Sequence, residues 1–425
     1  MRKFWIVMLS LGLIMAFAMP AAAVDVKFSG SLIVRGLYAS NPAMKEDVSS
    51  SYAVYDQRLR LQPEFKIAEG LVLVTRFDAL EKVWGTTAGT YNDSLSFERA
   101  YVDFTTGIGR FMVGYQNFTQ WGTAMADGAN SYPGIKYLFA TGPMTFVAAI
   151  ERTSEGATRN AATNRFDRTD ADNTAYDLGV IYKWTGGEAG LLYQYGERKS
   201  TRPTLGYATK LHVFDPYVKM TFGPVYVEAE AIYLTGKAAE FDSGAADVDA
   251  EQMGIYLKAN VDLKPAYVGA IFVWSQGDKD PADDKITTGW LAAMSAGSVF
   301  EPCLIFGSYW YWHAGTGGQL GYAPTGWTYF WDNVWFAQVY GGVKPMPKLD
   351  VFASFSWMKA DKAPGYVSKD IGYEVDVKAT YKIFDNLSYM VGAAYFFTGD
   401  YFKGTLDTNK VDDNYLLLHQ LTLSF

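Results

Sequence analysis

Six arginines recur between residues 35 and 110, one pair of them two residues apart: Arg35, Arg58, Arg60, Arg76, Arg99 and Arg110. Acidic pairs with that spacing stand at Glu228 and Glu230 and at Glu374 and Asp376, while Asp103 and Asp127 lie near the arginines in sequence. Residues two apart share one face of an extended strand, so these side chains offer fixed charge along a surface. Catalysis fits them less well. Two carboxylates can act on a glycoside, but an i, i+2 pair on one strand is more simply a solvated face. His212, His313 and His419 have no nucleophile motif beside them, and no His, Asp and Glu group has the spacing of zinc ligands. The single cysteine, Cys303, excludes an internal disulfide and a Cys-rich cluster. The residues therefore point to no enzyme, no cofactor and no metal.

The elements that must position these charges are strands. Arg99, Tyr101 and Asp103 alternate with Ala100, Val102 and Phe104, and 110–116 returns with the same two-residue period after a turn at 106–107. Arg58, Arg60, Gln62 and Glu64 likewise alternate against Leu59, Leu61 and Phe65. The stretch 117–133 breaks the pattern, with Gly122, Gly128, Asn130 and Pro133. A structureless connection of that length is usually functional, and in a closed barrel it would fold inward. Short turns, such as those at 68–70, 141–143 and 223–224, alternate with longer polar loops. Both chain ends fall on the short-turn side. The count is about 18 strands, with 16–20 as the range, because 276–328 is long for a loop and 289–311 reads equally as a hidden hairpin.

Aromatic residues make up 16% of the chain and glycines number 41. One face of each strand carries Ala, Val, Leu and Tyr, and the other Arg, Asp, Glu and Gly, as expected for lipid outside and water inside. The fold class is therefore all-β, a transmembrane antiparallel up-and-down β-barrel. Residues 1–23 read as a cleaved signal peptide, from Arg2 and Lys3 through an apolar run to Ala21-Ala22-Ala23, leaving 24–425 as one barrel domain. No later segment is apolar enough for a spanning helix. The formal charge of −8 argues against nucleic acid. Trp184, Trp274, Trp331, Trp335, Trp357 and Tyr395 suit interfacial girdles; Trp290, Trp310 and Trp312 offer an alternative aromatic path for sugars.

Glu98-Arg99-Ala100-Tyr101-Val102, followed by Gly109-Arg110 and Val113-Gly114-Tyr115-Gln116, resembles the early hairpin of Gram-negative outer-membrane porins. The resemblance implies that the connection after the fifth strand is the constriction loop. It also implies outer-membrane localisation, passive diffusion of ions and small hydrophilic solutes, and a homotrimer among outer-membrane lipid and lipopolysaccharide. On this reading the six arginines form a basic wall and Glu228, Glu230, Glu374 and Asp376 an acidic one. Asp127 leans toward the arginines, and the opposed charges select solutes. A blander reading pairs each arginine with a neighbouring Asp78, Asp103 or Glu64. The final strand alternates Tyr415, Leu417, Leu421, Leu423 and Phe425, and its terminal Phe425 resembles the signal read by the outer-membrane assembly machinery. An alternative in another class is a structural or partner-binding barrel, sheathing a secreted electron-transfer protein or exporting a polymer. It would need a wide, unobstructed lumen.

Overall fold

Side chains that alternate between lipid and water force a strand-only wall, because the bilayer core offers no partner for a bare backbone amide. The computed structural model of the chain describes residues 25–425 apart from 42–43, 47–50, 85–94, 126, 129, 157–158, 161–164, 167–170, 292–299, 301 and 308–331. The wall comprises β1 (Asp25–Ser40), β2 (Tyr52–Ala68), β3 (Leu71–Val83), β4 (Ser96–Thr106), β5 (Gly109–Asn117), β6 (Ser131–Thr141), β7 (Met144–Ser154), β8 (Asn173–Trp184) and β9 (Gly187–Arg198). It continues through β10 (Tyr207–Phe222), β11 (Val225–Phe241), β12 (Val248–Asp262), β13 (Ala266–Ser275), β14 (Val334–Met346), β15 (Leu349–Ala360), β16 (Asp370–Phe384), β17 (Leu387–Thr398) and β18 (Asn414–Ser424).

Each strand pairs antiparallel with the next, and β1 meets β18, with Ser31 opposite Ser424 and Ser40 opposite Tyr415. Closure leaves no edge with unpaired backbone groups. β13 pairs directly with β14, from Ala266 opposite Val343 to Ser275 opposite Val334. The connection 276–333 therefore puts no strand between them, and the closed wall has eighteen strands rather than twenty; Lys285–Ile286 of the connection pairs parallel with Asp249 and Ala250 of β12. The connection after β5 shortens from 117–133 to 118–130, because β6 begins at Ser131 and takes Pro133 into the ladder opposite Tyr115. Proline is tolerated near the start of a strand, so its turn signal misled there. The leader expected at 1–23 lies outside the described residues.

The exposed apolar side chains stand on the outer face, among them Leu178, Val339, Phe355 and Val377. Aromatic rings gather toward strand ends: Phe104 stacks on Phe111 at 5.3 Å between centroids, and Trp274 packs on Trp335 at 5.8 Å. Phe425 is tied into the wall. Its carbonyl accepts from the Gly30 amide at 2.8 Å, and its own amide donates to the Gly30 carbonyl at 3.1 Å. A side chain at Gly30 would meet the Phe425 ring and the Arg60 carbonyl, so the terminal ring rests over a glycine.

The fully buried apolar residues lie on the inner face. Phe336, Met358 and Phe396 are 0% exposed, whereas the outward Trp335, Phe355 and Phe397 are 37%, 45% and 47% exposed. Over the later strands the barrel is thus packed inside as well as coated outside.

Candidate functional site

The connection 118–130 is closed at its neck by one side chain. Asn117 donates from Nδ2 to the Gly128 carbonyl at 2.9 Å, and its Oδ1 accepts from the Thr119 amide at 2.7 Å and hydroxyl at 2.9 Å. From there the segment reaches strands far round the wall. The Trp121 indole donates to the Asp215 carbonyl of β10 at 3.0 Å, and its ring meets Tyr217 edge-on at 5.5 Å. Gly179 and Gly190 leave room for that indole, whose carbons lie 3.0 and 3.1 Å from where their Cβ atoms would be. The Thr123 amide donates to Glu230 Oε2 of β11 at 2.6 Å, joined by the Thr123 hydroxyl. Gly122 has φ +56°, and any side chain there would strike Glu230. Met125, 1% exposed, ends between Gly254 and Leu291. The partners Asp215 and Glu230 are buried on the face opposite the exposed apolar residues.

The arginines divide into two groups. Three make close ion pairs: Arg35 with Asp56 at 2.5 Å, Arg60 bidentate to Asp78 at 2.7 and 2.6 Å, and Arg110 bidentate to Asp103 at 2.8 and 2.5 Å. Arg35 is only 5% exposed, so the expectation that it lines open water is corrected: it holds β1 to β2 within a packed layer. Arg110 sits next to the turn at the short-loop end. The second group is loose. Arg58 is 4.0 Å from Glu81, Arg76 is 3.7 Å from Glu98, and Arg99 has no carboxylate within ion-pair distance among the described residues. Arg76 and Arg99 stand directly opposite each other in the β3–β4 ladder, next to a bulge that displaces Glu98. The Nε atoms of Arg58, Arg76 and Arg99 are buried with no hydrogen-bond partner. Of the bland partners, Asp78 and Asp103 are used, whereas Glu64 accepts from Gln62 at 3.0 Å.

The acidic residues do not face open water. Glu228 accepts from the hydroxyls of Tyr226 at 2.6 Å and Tyr256 at 2.7 Å, with Lys258 at 3.5 Å. Glu230 anchors Thr123 as described. Glu374, 0% exposed, accepts three backbone amides: Leu304 at 3.0 Å and Ile305 at 2.7 Å on Oε1, and Phe306 at 2.8 Å on Oε2. Asp376 accepts from the Ser354 hydroxyl at 3.0 Å and faces the Leu304 amide at 3.4 Å. The expectation that Glu374 and Asp376 form a pore-facing row is thus corrected. The chain segment 302–307 covers them and uses them as acceptors.

That segment belongs to the long connection after β13, whose other ties are also inward. Gln252 on β12, 0% exposed, accepts the amides of Trp290 and Leu291 at 2.9 Å and donates to Asp332 at 2.9 Å. Gln338 on β14 donates to the Pro302 carbonyl at 2.7 Å, and Phe306 stacks on Phe396 of β17 at 6.3 Å. Trp290 is anchored through its backbone amide, and its indole donates to the Ile286 carbonyl at 3.1 Å; Trp310, Trp312 and Trp331 lie outside the described residues. Among the described residues, Cys303, Glu374 and Asp376 bring ligand-type atoms within 4.8 Å of one another. Their carboxylate oxygens are engaged by amides and a hydroxyl, and burial pushes the Cys303 thiol well above its ordinary value. The arrangement is that of an anchor for a buried turn.

Asp127 is placed on the other side from the one expected. Burial pushes its carboxyl up to about 6, opposed by Lys219 of β10 and by the Trp121 amide. Its charged neighbours are on β10 and β11, not among the arginines of β1–β5. Sequence reasoning missed Gln252, Asp332, Gln338 and Trp121, and only the length of the 276–333 connection hinted at the second inward segment.

A closed eighteen-strand barrel with an outward apolar face defines an outer-membrane channel architecture. The family model for Gram-negative porins matches residues 10–401, and the chain belongs to that family. It is accordingly an outer-membrane protein forming a channel for small solutes. No curated protein matches the sequence. Among solved structures it is similar to OccK2 (OpdF) of Pseudomonas aeruginosa, at 12% identity and a TM-score of 0.52, over 94% of this chain and 98% of that one. OccK5 (OpdH) of the same organism matches at 13% identity and 0.51, over 94% and 98%. OccAB4 of Acinetobacter baumannii matches at 12% and 0.51, over 95% and 99%. At such identities these neighbours bear on the fold alone.

Proposed function

We propose that ions and small hydrophilic solutes diffuse passively through this barrel along a charge-lined constriction, bounded by the loose arginines of β2–β4 on one side and by the inward segment 118–130 on the other. The observation that carries the reading is Arg76 opposite Arg99, with Glu98 the one carboxylate within ion-pair distance of either among the described residues. Like charges facing each other across a ladder destabilise it. A counter-ion or an anionic group of a passing solute offsets that cost. Between low-dielectric walls the field of such a patch is focused across the passage.

The packed segments inside β11–β18 support a narrow route and speak against a sheath around a folded protein or a polymer. The proposal includes a homotrimer in lipid and lipopolysaccharide. It also includes export by a leader at 1–23 and recognition of Phe425 by the assembly machinery. Folded protein in a planar bilayer tests it: uniform open steps in KCl are expected, and their absence from folded protein overturns the reading.

A further inference from the structure

A cavity of about 560 Å³ lies between the segment 118–130 and the wall of β7–β11. Its wall has two unlike sides. On β10 and β11 it is hydrocarbon: Leu211, Val213, Ile232 and Leu234, capped by Leu291. On β7 it is a carboxylate, Glu151, 5% exposed.

Glu151 is flanked in its two ladders by Gly134 and Ala175, which bring no polar group to it. Its Oε2 is buried with no hydrogen-bond partner, and no cation lies within ion-pair distance of it among the described residues. Lys136, on the neighbouring strand, donates instead to the Asn117 carbonyl at 3.1 Å and sits 5.0 Å over the Phe118 ring. Asp177 is occupied by Gln194 at 2.8 Å, and Glu197 by Lys199 at 2.9 Å. Lys136, and Arg198 at the exposed rim, are the opposing charges, neither of them within ion-pair distance of Glu151. Asp215, 1% exposed, lies lower in the same wall with its carboxyl against that of Glu230.

A buried carboxylate oxygen with neither a hydrogen bond nor a close ion pair is costly, and a cationic hydrogen-bond donor relieves that cost. The aromatic faces do not form a sugar platform, since Phe118 carries Lys136 and Trp121 is wedged against the wall. We propose that this cavity is a binding site for small primary amines bearing a short hydrocarbon tail, with the ammonium on Glu151 and the tail against Leu211 and Leu234. The site rests on the channel reading only for its biological use: it would select one class of solute from those admitted.

Isothermal titration of the detergent-folded full chain with n-butylammonium chloride tests it without requiring conductance. Saturable binding is expected for n-butylammonium, about tenfold weaker binding for methylammonium, which lacks the tail, and none for 1-butanol, which lacks the charge. Glu151→Gln, nearly isosteric, is expected to weaken butylammonium binding about tenfold or more while the KCl conductance persists. Equal binding of 1-butanol and n-butylammonium by the unaltered protein overturns the site even if the variant fails to fold. So does butylammonium binding unchanged in Glu151→Gln. A missing KCl current removes the channel reading and leaves the titration result standing.

Discussion

The arginines of β2–β4 and the carboxylate pair of β16 occupy the same kind of position, alternate inward residues near the middle of a strand. They differ in what faces them. Glu374 and Asp376 are covered by 302–307 and spend their oxygens on backbone amides. Arg58, Arg76 and Arg99 have incomplete partners, and two of them confront each other. Buried polar groups whose hydrogen bonds are satisfied fix a structure, and groups left short of partners mark a place where something else binds or passes. Glu374 and Asp376 are therefore scaffold, and on the function proposed above selectivity resides among the loose arginines.

The largest expected break in this contrast comes from Glu374→Ala. It strands three buried amides, each costing about 1–3 kcal/mol when left without an acceptor. A markedly lower thermal midpoint and a larger, noisier single-channel conductance are expected as 302–307 loosens; unchanged values would mean the segment is held elsewhere. Arg60→Ala comes next. It leaves Asp78, 3% exposed, without its bidentate partner, and a loss of about 2 kcal/mol in denaturant unfolding is expected. Arg76→Ala sharpens the comparison from the other side. Removing one of two facing like charges is expected to change stability by less than about 0.5 kcal/mol while moving selectivity toward cations.

The smallest effect is that of pH on Asp127. Its carboxyl is pushed up to about 6, so it is neutral at pH 5 and charged at pH 7.5. The folded chain holds this proton more tightly than the unfolded one, so the residue's contribution to stability falls as pH rises from 3.8 to about 6 and is level above that. Cation preference is expected to be slightly greater at pH 7.5 than at pH 5, and Asp127→Asn is expected to flatten that difference.

Much of the wall was legible because a two-residue period and short turns are local signals. β2, β3 and β10–β13 end within a few residues of where alternation and Gly-Pro or Glu-Gly turns put them. The interior was not. Alternation says which way Glu374 points, but nothing near it in sequence announces that 302–307 will return to cover it from some 70 residues upstream. Asp127 was misplaced for the same reason: nearness in sequence to β4 and β5 suggested the arginines, while Thr123 and Trp121 carry the segment across to β10 and β11. The absence of any cleaner signal for Gln252 follows too, since a lone glutamine on an inward face reads as a solvated residue until the amides of Trp290 and Leu291 are found against it.

The central claim is that selectivity resides in the loose arginines rather than in the acidic residues. Reversal potential across a KCl gradient, measured on folded wild-type protein and on the double substitution Arg76→Ala with Arg99→Ala, tests it most directly. A shift toward cation preference in the double variant, with Glu228→Gln leaving the potential near the wild-type value, is the predicted result. An unmoved potential in the arginine variant, with a large shift in Glu228→Gln, would contradict the account.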